Sequence, residues 1–345
     1  MLRSTRENHG NYTLKTYIQR GLELCSPKLF FEYRDDYLPD WKTFRSLLLM
    51  LDYYCCLLRY GTIICDFFEY QFWRKSAYER GKYISMFYSR KIQKAFNKGD
   101  KEVYLDKTVF NKKFAAFRTT ADFDFAQGGD VSDFLDFVHK ANGKIIAKPF
   151  MGASGWGIFI PDVSTDEKAI EVYNQLKVDG NYFCEELFIQ DGVLHDLNPS
   201  SVNTVRIFTL HDGSEVHVMS CCLRIGGGKE CVDNIHSGGM ICEVDTESGI
   251  IIGPGYNLKG EKTVFHPISK IMLVGIQIPQ WQRVINLVKE AAMLYPELGH
   301  SAWDIAVGEK DISFIEANEQ GNFDAPQTAF QRGFKPDYLP FMNKK

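Results

Sequence analysis

The chain changes texture at about residue 101, and that break limits what it can fold into. Before it, no glycine falls between Gly21 and Gly61, and residues 41–59 carry apolar and aromatic side chains at helical spacing. Asp40 is the natural N-cap of a helix starting at 41. After the break, short apolar runs alternate with turn signals. Residues 144–148 (KIIAK) read as a strand, followed by the glycine-rich FMGASGWG and a second strand at 158–160. Residues 164–177 read as a helix, with Ser164 as N-cap and Glu167 three residues on. Residues 182–189 are strand-like, and 202–210 with 215–225 read as a hairpin turning at 211–214. Residues 279–294 read as an amphipathic helix, and 302–307 with 312–316 as a further hairpin turning at 308–311. The expected class is α+β with mainly antiparallel sheet, entered through a mainly helical N-terminal region.

A formal net charge of −4 gives no basic surface for nucleic acid. Residues 47–73 are apolar enough to raise the question of a membrane span. Asp52, Arg59, Asp66 and Glu69 interrupt them, and charge-free pieces such as 46–51 and 53–58 fall far short of the roughly 18 residues a span needs. Buried helices are expected instead, with the aromatic stripe as core rather than as a binding surface. Nine cysteines include the adjacent pairs Cys55-Cys56 and Cys221-Cys222 but no C-x-x-C. That usage fits neither a zinc site nor a small disulfide scaffold, so reduced thiols in a cytoplasmic protein are expected. The first 20 residues lack the apolar run of a secretory signal.

Several constellations carry chemistry. Lys148 on a strand precedes a loop containing Gly152, Ser154, Gly155 and Gly157. Glycines between two strands let backbone N–H groups approach phosphate oxygens, and the lysine adds charge beside them. The lysine precedes the glycines, so this is not the nucleotide P-loop. In the hairpin turning at 308–311, Asp304 comes nearly opposite Glu316, and Asn318, two residues on, shares the face of Glu316. Three oxygen-bearing side chains then converge as Mg²⁺ ligands do, or else form a solvated polar face. Glu185-Glu186 end a strand before an apolar connector of the kind that borders an adenine. Arg206 and Arg224 lie in strand-like runs, where each would hold a γ-phosphate or substrate carboxylate, or pair structurally with an acid. His236, in the run Asp233-Asn234-Ile235-His236-Ser237-Gly238-Gly239, is either an acid/base group or an ordinary loop histidine.

The segments LDKTVF (105–110), AKPFMGASGWGIF (147–159), EELFIQ (185–190), NTVRIFT (203–209), WDIAV (303–307) and IEANEQGNF (315–323) occur in one order. That order resembles the ATP-grasp superfamily, whose members include D-alanine–D-alanine ligase. Glu79-Arg80, the Arg224/Asp233-Asn234/Gly238-Gly239 segment and His266-Pro267 with Pro279 and Trp281 make it most similar to the sugar-transfer-associated branch. The resemblance implies two α+β subdomains clamping ATP: a lid over 104–190 and a metal-bearing core over 191–345, preceded by the helical region 1–103. It implies that Lys107 and Lys148 contact the ATP phosphates under a lid running from Gly152 to Gly157. It places Glu185, Glu186 and Asn203 along adenine and ribose, and makes Asp304, Glu316 and Asn318 the ligands of Mg²⁺, with Mn²⁺ as a substitute. Arg206, Arg224 and His236 become catalytic candidates, and Asp233, Asn234, Gly238 and Gly239 border the acceptor pocket.

The activity it implies is ligation of a small-molecule or sugar-linked carboxylate to an amine through an acyl-phosphate, in surface-polysaccharide biosynthesis. A kinase acting on a hydroxyl and a non-catalytic nucleotide-binding module are the alternatives on the same fold.

Overall fold

The computed structural model describes residues 26–344, apart from 128, 152–154, 229–232, 234, 236–237, 258–259 and 320–322. Two compact units divide the chain: described residues up to Ile92 together with those from Phe323, and residues from Gln93 up to the second boundary. The expected divisions near 103 and 190 lie inside the second unit, and the C-terminal helices belong with the first.

The first unit is helical, with Pro27–Tyr37, Thr43–Tyr60, Ile64–Glu69 and Ala77–Arg80, followed after Phe323 by Asp324–Phe330 and Lys335–Met342. Its core is aromatic: Phe30, Tyr53, Phe67, Phe68 and Phe72 are fully buried. Their rings meet at tilted or edge-on angles, the geometry favoured by ring quadrupoles. Thr43–Tyr60 starts after Lys42, not at Asp40. Residues 39–40 form a turn in which the Trp41 N–H donates to the Leu38 carbonyl, so Asp40 caps nothing. The helix stops at Gly61, whose φ of +69° suits glycine.

The second unit holds two antiparallel sheets. The smaller runs β1 (Asp122–Asp124), β3 (Tyr182–Glu186), β2 (Ile145–Pro149). The amphipathic helices Val131–Lys140 and Asp166–Asp179 close its core, which includes Phe134, Ile145, Ala147, Tyr173 and Cys184. The N-cap of the second helix is Thr165, whose hydroxyl accepts from the Lys168 N–H at 3.4 Å; Ser164, the expected cap, lies one residue outside. The expected strand at 158–160 reduces to a single bridge, Phe159 to Ala147. Pro161 follows and has no N–H to extend it.

The larger sheet runs β10 (Ile312–Asn318), β9 (His300–Val307), β4 (Thr204–His211), β5 (Val216–Ile225), β6 (Met240–Val244), β7 (Ile251–Tyr256), β8 (Lys262–Thr263). One face is apolar, with Val205, Ile207, Cys221, Leu223, Trp303 and Ile305 packed in the core that helix Trp281–Leu294 joins. Period-two alternation sends Arg206, Arg224 and Asp304 to the opposite face. That face carries the candidate site.

Candidate active site

Three neighbouring strands set one row of charge. Arg206 on β4 pairs in register with Asp304 on β9, and Asp304 with Glu316 on β10. The second pairing depends on an irregularity. Ile312 and Phe314 face Val307 and Ile305 in regular register, and a shift between Phe314 and Glu316 then brings Glu316 opposite Asp304. Such a bulge re-aims every later side chain on its strand. Phe314 and Ala317 keep the apolar face, while Glu316 and Asn318 turn to the charged one. The Asn318 amide donates to Glu316 Oε1 at 3.4 Å.

Asp304 is buried and held by two arginines. Arg206 Nε donates to its Oδ1 at 2.6 Å and Nη2 to its Oδ2 at 2.5 Å, and Arg224 Nη1 reaches the same Oδ2 at 2.7 Å. Burial opposes ionisation of this carboxyl, but Arg206 and then Arg224 outweigh it and hold it well below the usual range. Glu316 shifts the other way: burial and then the Asp304 charge raise it, against Lys107. A buried and a half-buried carboxyl facing each other, one raised by burial and by the other's charge, make a place where a divalent cation would relieve repulsion. Asp304, Glu316 and the Asn318 amide oxygen are hard oxygen donors of the kind Mg²⁺ takes, so the residues fit the ion.

Arg224 also binds Asp233, Nη2 to Oδ1 at 2.9 Å. The other Asp233 oxygen accepts from the Thr204 N–H at 3.0 Å and from the Thr204 hydroxyl. Burial raises the Asp233 carboxyl despite Arg224. In this geometry Arg206 pairs with Asp304 through Nε and Nη2, and Arg224 bridges Asp304 and Asp233.

The second part of the site lies on the smaller sheet. Lys148 and Glu185 form a buried ion pair from adjacent strands β2 and β3. Glu185 also accepts from Asn111 Nδ2 at 2.7 Å and Arg118 Nη2 at 3.2 Å. Burial works to raise this carboxyl, and Lys148 followed by Arg118 more than offsets it, leaving it lowered. The Glu185 side chain therefore anchors the lysine in this structure. Glu186 is half-buried and accepts from the Ala121 N–H at 3.2 Å.

Lys107 opens helix Lys107–Lys113, whose N-cap Asp106 accepts from the Thr108 and Val109 N–H groups. The Lys107 N–H donates to the Phe150 carbonyl at 3.2 Å, so the helix start is tied to the chain leaving β2. Burial lowers the Lys107 ammonium, while Glu316 acts to raise it and Lys148 to lower it further. Lys107 thus lies in the fields of both halves of the site. Arg118 joins them physically, donating Nη1 to the Phe314 carbonyl at 3.0 Å, beside the bulge.

Gly155 and Gly157, at φ of +74° and +75°, turn the loop after β2 through backbone that other residues enter with strain. Gly152, Ser154, Asn234 and His236 lie outside the described residues. Gly238 is exposed and Gly239 buried, beside the strand β6 that follows them. Asn203 is engaged by backbone groups. It is wholly buried, its Nδ2 donates to the Leu194 and Asn198 carbonyls and its Oδ1 accepts from the Gly226 N–H, so its amide braces the chain before β4.

Asn111, Arg118 and Thr204 were not among the expected site residues. Asn111 had a readable signal, since it sits four residues after Lys107 on one helix face. Arg118 and Thr204 act on partners 67 and 29 residues away, which spacing does not reveal.

Lys148 on the smaller sheet, Lys107 on the helix tied to it, and Asp304 with Glu316 on the larger sheet make the arrangement expected of an ATP-grasp protein. Residues 79–340 match the family described as sugar-transfer associated ATP-grasp, and the chain belongs to that family. No curated protein matches it. Among solved structures, D-cycloserine synthetase DcsG is similar at 12% identity and a TM-score of 0.41, over 69% of this chain and 70% of that one. D-alanine–D-alanine ligase from Bacillus anthracis gives 12% and 0.39, over 70% and 67%. The biotin carboxylase domain of 2-oxoglutarate carboxylase from Hydrogenobacter thermophilus, solved with MgADP, gives 14% and 0.43, over 71% of this chain but only 46% of its own.

Proposed function

We propose that the protein is a cytoplasmic Mg-ATP-dependent ligase that joins a carboxylate to an amine. The observation that carries the proposal is the pair Asp304 and Glu316, facing each other across β9 and β10, with Lys107 in the fields of both Glu316 and the Lys148–Glu185 pair. Asp304, Glu316 and Asn318 would hold Mg²⁺, which when bound neutralises negative charge on the ATP phosphates. Lys107 and Lys148 hold the phosphates, with Glu185, Arg118 and Asn111 keeping Lys148 in place. The loop through Gly155 and Gly157 covers them and excludes water. Arg206 positions Asp304, and Arg224 with Asp233 borders the acceptor.

In this reading a carboxylate oxygen of the substrate attacks the γ-phosphorus. The bond from that phosphorus to the β-γ bridging oxygen breaks, giving an acyl-phosphate and ADP. The amine nitrogen then attacks the acyl carbon, orthophosphate leaves, and the nitrogen loses a proton. The site's task is alignment and charge compensation more than covalent chemistry. The family's tie to sugar transfer supports a sugar-linked acid or amine of a surface polysaccharide as substrate. The cytoplasmic assignment is supported by the free thiols of Cys55, Cys56, Cys184, Cys221, Cys222 and Cys242.

Hydroxylamine tests the reaction. With ATP, Mg²⁺ and panels of sugar acids and amino acids, a ligase gives a hydroxamate and ADP in equal amounts. ADP and a stable phosphate monoester, with no hydroxamate, would identify a kinase and sink the ligase reading.

A further inference from the structure

Helix Thr43–Tyr60 is apolar on two opposite faces. Its inner face buries Leu49, Tyr53 and Cys56 in the aromatic core. Its outer face presents Phe44, Leu47, Leu48, Leu51, Cys55 and Leu58, all exposed, with Phe44 at 73% and Leu58 at 88%. At 3.6 residues per turn these six fall within an arc of about 100°. A continuous stripe of large apolar side chains is unlike scattered surface hydrophobics and marks a docking face.

The charge beside the stripe identifies what it docks on. Arg45 and Arg59 are exposed along one flank, and Lys42 stands at the helix start. The helix has one acid, Asp52, on the same flank between the two arginines, and it is already paired: Arg80 Nη1 and Nη2 hold its two oxygens at 2.6 and 2.8 Å. The arginine flank is thereby left without a free negative charge. Two copies meeting helix to helix through this face would bring these arginines together with no unpaired acid of the helix itself to answer them. A surface that is apolar beneath and anionic at its edge answers both features.

We propose that this face lies flat on an anionic lipid surface, with the stripe sunk among acyl chains and Arg45 and Arg59 at the headgroups. The helix docks and does not span, since no described helix is long and apolar enough to cross a membrane. The inference is independent of the ligase reading.

The test is co-sedimentation of the full chain with vesicles of phosphatidylcholine alone or with about 30 mol% phosphatidylglycerol. Binding is expected to the anionic vesicles and to weaken with added salt. Arg45→Glu/Arg59→Glu lowers the partition coefficient by at least about 25-fold, from roughly five-fold per basic residue. Leu51→Gln/Leu58→Gln lowers it by about 100-fold. Both pairs are exposed, so thermal melts of the variants should match the wild type. No binding, equal binding to neutral vesicles, or unchanged binding by the leucine variant overturns the proposal. So does a dimer in solution that the leucine variant dissolves while vesicle binding is absent, which would make a second copy the occupant.

Discussion

Glu316 faces Asp304 because the chain inserts one extra residue on β10 between Phe314 and Glu316. Continuing the register of Ile312 with Val307 and Phe314 with Ile305 would set Glu316 opposite Trp303, on the apolar face. The bulge turns two polar side chains out of the core and onto the row that holds Asp304.

Deleting Ile315, the extra residue, tests that relationship. In regular register Glu316 then follows Phe314 directly and still falls opposite Asp304, with Ala317 on the apolar face and Asn318 on the charged one. The variant should keep Mg²⁺-dependent nucleotide binding, measured by calorimetry. Loss of that binding in a variant that still melts cooperatively would mean that facing Asp304 is not what the bulge supplies to the site.

Arg206→Ala leaves Asp304 buried with Arg224 as its remaining ion-pair partner among the described residues, and breaking a buried pair in this way costs about 3–5 kcal/mol. Arg206→Lys should recover only part, because an ammonium cannot match two carboxylate oxygens in one plane. Mg²⁺ should restore some stability to Arg206→Ala but none to Arg206→Ala/Asp304→Asn. Denaturant midpoints with and without Mg²⁺ give the comparison.

Glu185→Gln removes the charge that anchors Lys148. Hydrogen bonds to charged groups contribute about 1.5–3 kcal/mol, so the KM for ATP should rise by roughly 10- to 150-fold, with kcat changed less. An unchanged KM would show that Lys148 needs no anchor.

His300 makes stability pH-dependent. It is fully buried, and burial pushes its imidazole down from 6.5 to about 4. Between those values the unfolded chain binds the proton and the folded chain does not, so stability falls as pH drops through this window. The slope from this residue is about 1.4 kcal/mol per pH unit. Urea titrations from pH 7 to 4.5 should show the slope in the wild type and a flatter one in His300→Gln, whatever the variant's absolute stability.

Gly227 lies against Gly238, where an added Cβ would come within 2.5 Å of the Gly238 carbonyl oxygen. Gly227→Ala must push these segments apart. It should raise the KM of the acceptor substrate severalfold while leaving that of ATP unchanged, which steady-state kinetics with each substrate varied would check.

The hairpin bearing Asp304 and Glu316 was legible because apolar alternation and a glycine turn fix a local pairing. The bulge that completes it was not, since nothing in the ISFIEAN run distinguishes one register from the next. Local chemistry also left the caps ambiguous: Ser164 and Thr165 are adjacent hydroxyls, and only the backbone entering the helix selects Thr165. The partners of Glu185 come from residues 111, 118 and 148, so its role as anchor appears only once β2, β3 and the helix at Lys107 are assembled. The backbone anchorage of Asn203 was hidden for the same reason. A polar side chain entering a strand looks available until the carbonyls of Leu194 and Asn198 are seen to hold it.

The most direct test of the site is calorimetric titration of the wild type and of Lys148→Ala/Glu316→Ala with a nonhydrolysable ATP analogue, with and without Mg²⁺. The two sheets acting as one nucleotide site predict Mg²⁺-dependent binding by the wild type and its loss in a variant that still melts cooperatively. Equal binding by both proteins would contradict the account.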